Sequence, residues 1–423
     1  MSLANWPQLQ RRVVVTGMGA ISPLGNSLSD TWSALLSGRS GAGPITLFDS
    51  AEYSVRFACE VKGFDPNPYI PGKEQKKMDR FMHFGIAASL MAWKDAGFQG
   101  RTDENGINPN RVGAYVSSGM GGLPLLEETV KLIAEKGPRR ISPFFIPSVI
   151  PNLTSGHLSI YLNARAHNAC VVSACASGAH SVGESALIIS RGDADIMIAG
   201  GCEAVISNLG VGGFAAMKAL STRNDSPERA SRPFDRDRDG FVVGEGAGVL
   251  ILEDYEHAKK RGARIYAEVA GYASNSDANH MTAPCEDGRG AGECMEFALS
   301  RAQIDPRKID YINAHGTSTP MGDIAESLAV ERLFGSHARE LVMTSTKSMT
   351  GHLLGGAGGL ESCVAIKVLE TGDIPPTINL ENPDEKCRLN YAAGEAIRKD
   401  CDTVMNNSFG FGGTNASLIF SRV

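Results

Sequence analysis

Nowhere in this chain do two cysteines stand in a C-x-x-C pair, and no apolar run approaches the roughly 18 residues a membrane helix needs. The nine cysteines, at 59, 170, 175, 202, 285, 294, 363, 387 and 401, are scattered and odd in number. That pattern speaks against a disulfide framework or a ribbon-type zinc site and for a reducing compartment. Basic excess is missing too: 41 Lys+Arg against 47 Asp+Glu leave a net charge of -6, which argues against a nucleic-acid partner held by phosphate attraction. The opening Met1–Gln10 has neither the basic start nor the apolar core of a signal peptide. A cytoplasmic location without membrane contact is therefore expected; an organelle form already stripped of its transit peptide reads the same way.

What is present is ordinary globular material with unusual punctuation. Hydrophobic residues at 42% and charged residues at 21% exclude a disordered chain. The 48 glycines have no three-residue period, so they are not collagen-like. They cluster as GMGG, GEGAG, GGAGG and GFGG, which predicts close backbone approaches around a site built from several loops. A length of 423 residues suggests roughly two to three domains.

Short apolar runs alternate with helical stretches. Strands are expected at Arg12–Gly17, Val112–Val116, Ala169–Val172, Asp195–Ala199 and Gly248–Leu252, with a long helix over Lys76–Gly97 whose inner face carries Met78, Phe81, Met82 and Ile86. The second half repeats the scheme: strands at Arg264–Ala270, Ile309–Asn313 and Leu341–Thr344, helices at Ala291–Ala302 and Met321–Phe334. This is the pattern of an α/β protein with buried central strands. One echo stands out. A Gly/Ala-rich helix runs from Cys175 to a Gly192-Asp193 turn, and the same layout recurs at constant spacing from Gly355 to Gly372-Asp373. Two such helices, one per half, predict a duplicated molecule in which small residues let backbones pack closely across a pseudo-twofold axis. The expected halves are residues 1–262 and 263–423, fused without a low-complexity linker.

Four segments carry chemistry. Cys175 lies in VVSACASGA, where an apolar run turns sharply into a small-residue helix. A thiol there faces unsatisfied amides and the positive end of the helix, which predicts a lowered pKa and a reactive thiolate. A buried structural cysteine is the plainer reading and suits most of the other eight. His315 follows a strand in NAHGTSTP, at the carboxyl end where α/β sheets bind ligands. His352 sits in STKSMTGHLLGGAGG, where the following helix is expected to depress the imidazole pKa and keep it a neutral hydrogen-bond donor. Lys347, just after an apolar strand, has Glu361 as its nearest candidate for an internal ion pair. The loop Asn406–Asn415 (NNSFGFGGTN) lacks the lysine and helix of a phosphate cradle and is better suited to aiming a backbone amide at developing negative charge. Zinc binding by the cysteine and two histidines lacks any short-range ligand pair. A Cys-His hydrolase has no use for two histidines and a lysine.

Together with RVVVTGMGAISPLG, GDADIMIAGG, GVGGF, ALSTRND and SRPFDRDRDGFVVGEGAGVL, these segments span nearly the whole chain in an order that resembles the β-ketoacyl-[acyl-carrier-protein] synthases, most closely the type II elongating enzymes of fatty acid synthesis. The resemblance implies a thiolase-type fold, duplicated α/β halves in five layers (α-β-α-β-α), assembled as a homodimer. It implies an acyltransferase that performs decarboxylative Claisen condensation of an acyl-Cys175 thioester with malonyl-[acyl-carrier-protein], without a required cofactor. His315 and His352 would hold the malonyl thioester oxygen, and the amides of Cys175 and Phe411 would form the oxyanion hole, with Phe411 as gate. Thr317 and Thr319 would contact the pantetheine arm, and Met120, Phe214 and Phe409 the substrate pocket. Met120 stands where relatives commonly carry a branched aliphatic residue, and Ala176 where they often carry threonine. Lys73, Lys76, Lys77 and Arg80 match a docking surface for acyl carrier protein, although a solvated helix face looks alike. A structural monovalent cation near Asn313, Glu361 and Asn406 is a further implication. The rivals are a polyketide ketosynthase and a noncatalytic chain-length subunit; the Cys-His-His set opposes the latter, and the lack of a fused carrier or acyltransferase domain favours a stand-alone enzyme over the former.

Overall fold

β-Branched and small apolar residues run almost unbroken through Val13–Ile21, Ile196–Glu203 and Gly246–Asp254, and both faces of these strands are buried. The structure, a computed structural model, describes residues 10–423. The stretch in which no leader pattern is read falls, up to residue 9, outside the described residues. Nine strands form the main sheet: β1 (Val13–Ile21), β2 (Val112–Ser117), β3 (Ile196–Glu203), β4 (Gly246–Asp254), β5 (Ala267–Ser276), β6 (Tyr311–Asn313), β7 (Val342–Thr344), β8 (Thr403–Gly410) and β9 (Thr414–Ser421). Their order is β2-β3-β4-β1-β5-β9-β8-β6-β7. Only two residue pairs, Val14 with Glu268 and Val15 with Ala267, join β1 to β5 at the middle of that order. On either side of this seam each half has its first strand innermost and its last strand next, antiparallel to it. Parallel strands lie farther out.

Five helices complete the layers. Helix α1 (Arg80–Asp95) covers the outer face of β1, β3 and β4, while α3 (Arg289–Ala302) covers β5 and β9 and packs on α4 (Pro320–Phe334). Between the two halves lie α2 (Ser177–Ser190) and α5 (Ala357–Thr371), each touching strands of both. The result is the expected α-β-α-β-α stack. Glycine permits its centre: a Cβ on Gly358 would lie 2.5 Å from the Ala179 amide nitrogen, and one on Gly178 would lie 2.8 Å from the Gly355 carbonyl oxygen. The echo in the sequence is an echo in the backbone. Each central helix follows a 3-10 turn (Ala174–Ala176 and Leu354–Gly356), and each turn opens with a left-handed residue, Ala174 or Leu354, at φ 49°.

Three expectations need correction. Ala169–Val172 is not a strand. The fifth strand of the first half shrinks to one bridge between Ala114 and Asn168, after which the Ser117 hydroxyl takes the Val171 amide and the chain leaves the sheet edge. The helix expected over Lys76–Gly97 begins at Arg80, because the Asp79 side chain accepts from the Phe81 amide and caps it; Lys73 lies on a separate short helix, Gly72–Gln75. The glycine-rich loop is also shorter than drawn, since Asn406–Gly410 belongs to β8 and only residues 411–413 make the turn into β9.

Candidate active site

Cys175 sits in the strained turn before α2, with its side chain directed into an apolar cavity of about 590 Å³. Ser177 ties that turn, donating to the Ala174 carbonyl (2.8 Å) and accepting from the Ser173 amide (2.9 Å). From the far half, the Thr414 hydroxyl donates to the Ser173 carbonyl at 3.1 Å. This locks the β8–β9 turn against the cysteine, where the backbone amides of Phe411 and of Cys175 itself favour the ionised sulfur. The surroundings act against the expected lowering of the thiol pKa. Burial pushes the Cys175 thiol up to about 12, outweighing the positive charge of Lys347 and the two amides, while the carboxylate of Glu203 adds to the rise. Desolvation in an apolar pocket is stronger here than the pull of a nearby helix end.

The two histidines come from adjacent parallel strands, His315 from the end of β6 and His352 from the turn beyond β7. The His315 and Gly316 amides both donate to Glu326 on α4, at 2.9 and 2.8 Å. His352 is fixed by its amide to the Val242 carbonyl (2.7 Å) and by its carbonyl to the Gly244 amide (2.9 Å). Its Nδ1 accepts from the Leu354 amide at 3.3 Å, so the ring proton resides on Nε2, which is buried with no partner among the described residues. His315 Nδ1 is likewise unpartnered. Both imidazoles are pushed well below their ordinary pKa, by burial first and then by Lys347. The direction is the expected one for His352, but its cause is desolvation rather than the helix end. Lys347 is buried behind them and forms an ion pair with Glu361 on α5.

Aromatic edges frame the pair. Phe214 meets Phe241 at 5.3 Å between centroids, Phe241 meets His352 at 5.4 Å, and His315 meets Phe409 at 5.8 Å, all edge to face. Cys175, His315, His352, Thr317, Thr319 and Phe411 line one cavity. Met120, Phe214 and Phe409 line it as well, whereas Lys347 and Glu361 do not. The Thr317 and Thr319 hydroxyls lie 3.0 Å apart at its wall. The basic residues are elsewhere and unequal. Lys73 and Lys76 are exposed, Lys77 pairs with Glu74 at 2.7 Å, and Arg80 turns inward to the buried Glu245 at 2.6 Å. Sequence reasoning missed Phe241, Glu326 and Glu203. A carboxylate standing in an otherwise apolar buried segment was the available signal for the two glutamates.

Fold and site together define a thiolase-type α/β enzyme. Residues 10–258 match the family "Beta-ketoacyl synthase, N-terminal domain" and residues 266–381 match "Beta-ketoacyl synthase, C-terminal domain". The chain belongs to the β-ketoacyl synthase family. It is 50% identical over 414 residues to 3-oxoacyl-[acyl-carrier-protein] synthase 2 of Coxiella burnetii, covering 98% of this chain and 99% of that protein. The same-named protein of Vibrio cholerae is 50% identical over 416 residues, covering 98% and 100%. A solved β-ketoacyl synthase from Burkholderia phymatum superposes with a TM-score of 0.90 at 39% identity, covering 98% and 100%. A type II polyketide ketosynthase, solved in complex with its acyl-carrier protein and bound to a hexaketide, gives 0.90 at 33%, covering 98% and 100%.

Proposed function

We propose that this chain is the elongating condensing enzyme of fatty acid synthesis, an acyltransferase that joins an acyl group to malonyl-[acyl-carrier-protein] and yields 3-oxoacyl-[acyl-carrier-protein]. The observation that carries the reading is the meeting of one cysteine and two neutral histidines in a single apolar cavity. Identity of 50% to 3-oxoacyl-[acyl-carrier-protein] synthase 2, against 33% to the polyketide ketosynthase, favours the fatty acyl substrate.

Cys175 attacks the thioester carbon of acyl-carrier protein, and the oxyanion is held by the Cys175 and Phe411 amides. Collapse expels the pantetheine sulfur, which ends with the proton that left Cys175. Malonyl-carrier protein follows, its arm against Thr317 and Thr319. His352 Nε2–H and the His315 ring hold the malonyl thioester oxygen. As the carboxylate departs as carbon dioxide, its electron pair becomes the enolate they stabilise. The enolate carbon then bonds to the acyl carbonyl carbon and expels the Cys175 sulfur, which regains a proton. Removing one such oxyanion donor costs about 10²–10³ in rate. Lys347, tied to Glu361, keeps both imidazoles neutral, while Phe411 gates the cavity and Met120, Phe214 and Phe409 receive the acyl chain.

The halves are residues 1–262 and 263–423, a reading supported by the family matches parting between 258 and 266. Lys73 and Lys76, with Lys77 beside them, suit an acidic carrier protein, while Arg80 ties the start of α1 to the buried Glu245. A homodimer is supported by the edge strand β2 and the exposed apolar Val130, Ile146, Ile160 and Val172 near it in the chain. Asn313 Oδ1, Glu361 Oε2, Asn406 Oδ1 and Ser408 Oγ are buried without partners among the described residues, and Asn313 and Asn406 are opposed across β6 and β8. An all-oxygen donor set fits a hard cation, which Asn313, Glu361 and Asn406 would hold as a structural charge. No helix among the described residues is long and apolar enough to cross a membrane. A cytoplasmic site of action is supported by the likeness to the bacterial 3-oxoacyl-[acyl-carrier-protein] synthase 2 proteins. Incubation with acyl- and malonyl-carrier protein tests the reaction: a product two carbons longer is expected, and its absence with both substrates intact contradicts the proposal.

A further inference from the structure

A carboxylate without a cation lies beneath the nucleophile turn. Glu203 closes β3, is fully buried and forms no ion pair among the described residues. Burying such a group is costly unless its oxygens are met by donors. Here they are met four times. Ser118 Oγ donates at 2.7 Å, the Gly119 amide at 2.8 Å, the Met120 amide at 3.3 Å and the Gly355 amide at 3.0 Å.

The donors come from two places that the fold must hold together. Three belong to the loop after β2, which carries Met120 on the cavity wall; the fourth belongs to the turn that leads into α5. Glycine makes the approach possible. A Cβ on Gly355 would lie 2.2 Å from the Gly119 nitrogen, and one on Gly119 would lie 2.8 Å from Glu203 Oε2 and 3.2 Å from the Ala174 carbonyl oxygen. The loop therefore rests on the residue preceding Cys175. A glutamine at this position would keep the volume but point an NH2 group at two of the four donors. The carboxylate also opposes ionisation of Cys175, so its presence is explained by geometry rather than by help to the thiol.

We propose that Glu203 is a positioning residue for acyl-chain selection: it pins the Met120 loop to the Cys175 turn and to α5, fixing how deep an acyl chain can reach. This rests on the reading that Cys175 is acylated. The test is the rate of acyl-enzyme formation from acyl-carrier proteins of several chain lengths, read by intact mass, in the parent and in Glu203→Gln. The ratio of long-chain to short-chain acylation should change by about tenfold, the scale on which a pocket discriminates one methylene. Loss of folded molecules alone would lower all lengths equally and leave the ratio unchanged. Should Glu203→Gln not fold, Ser118→Ala removes one donor and keeps the acid, and it should shift the ratio in the same direction by less. An unchanged ratio in a folded variant overturns the inference. A parent that forms no acyl-enzyme overturns the proposed function instead.

Discussion

The rings of His315 and His352 meet edge to face, with centroids 5.3 Å apart and planes at 84°. Two imidazolium ions would repel at that separation in a buried site. Two neutral rings can instead turn N–H groups toward one oxygen. Burial and the charge of Lys347 enforce neutrality, so the contact and the electrostatics agree.

Malonyl decarboxylation should therefore show no falling acid limb at the ordinary imidazole value of about 6.5. The measurement is carbon dioxide release from malonyl-carrier protein against pH, in a range where the protein stays folded. A flat profile through that value is expected, and a limb centred there contradicts the assignment.

Lys347→Met should cost about 3–5 kcal/mol of stability in urea denaturation, because it strands the buried Glu361 carboxylate. Adding Glu361→Gln should recover much of that loss. The pH dependence has a definite sign. Burial already raises the Glu361 pKa, and losing the lysine raises it further. A folded pKa above the unfolded value gives stability that is present at low pH and lost as pH rises through the folded pKa. The deficit of Lys347→Met should thus shrink on acidification.

Gly358→Ala should destabilise by about 1–3 kcal/mol, since its Cβ would lie 2.5 Å from the Ala179 nitrogen at the crossing of α2 and α5. Gly213→Ala, whose Cβ meets nothing within 4 Å, should be neutral or stabilising by up to about 1 kcal/mol in its helix. Thermal unfolding of the two variants separates a close-packing role for Gly358 from generic intolerance of substitution.

Much of the fold was legible because its strands are apolar on both faces and its glycines fall where backbones touch. The strands expected from composition at Arg12–Gly17 and Gly248–Leu252 fall on the longer observed strands Val13–Ile21 and Gly246–Asp254. Ala169–Val172 has the same composition but ends at a sheet edge, where the Ser117 hydroxyl replaces a ladder partner; no local pattern announces that. The start of α1 at Arg80 depended on the Asp79 cap, which periodicity alone passes over. At the site, Cys175, His315 and His352 were visible as polar residues that follow short apolar runs. The state of the thiol was not, because desolvation depends on the walls that Phe241, Met120 and the far half supply. Glu203 went unnoticed for a related reason: its four donors converge only after β2, β3 and α5 assemble.

The central claim is that the Cys175 sulfur carries the acyl group. Intact-mass measurement after incubation with acyl-carrier protein tests it most directly, comparing the parent with Cys175→Ala. The account predicts one added acyl mass on the parent and none on the variant. An equal acyl adduct on Cys175→Ala, or an unmodified parent, would contradict it.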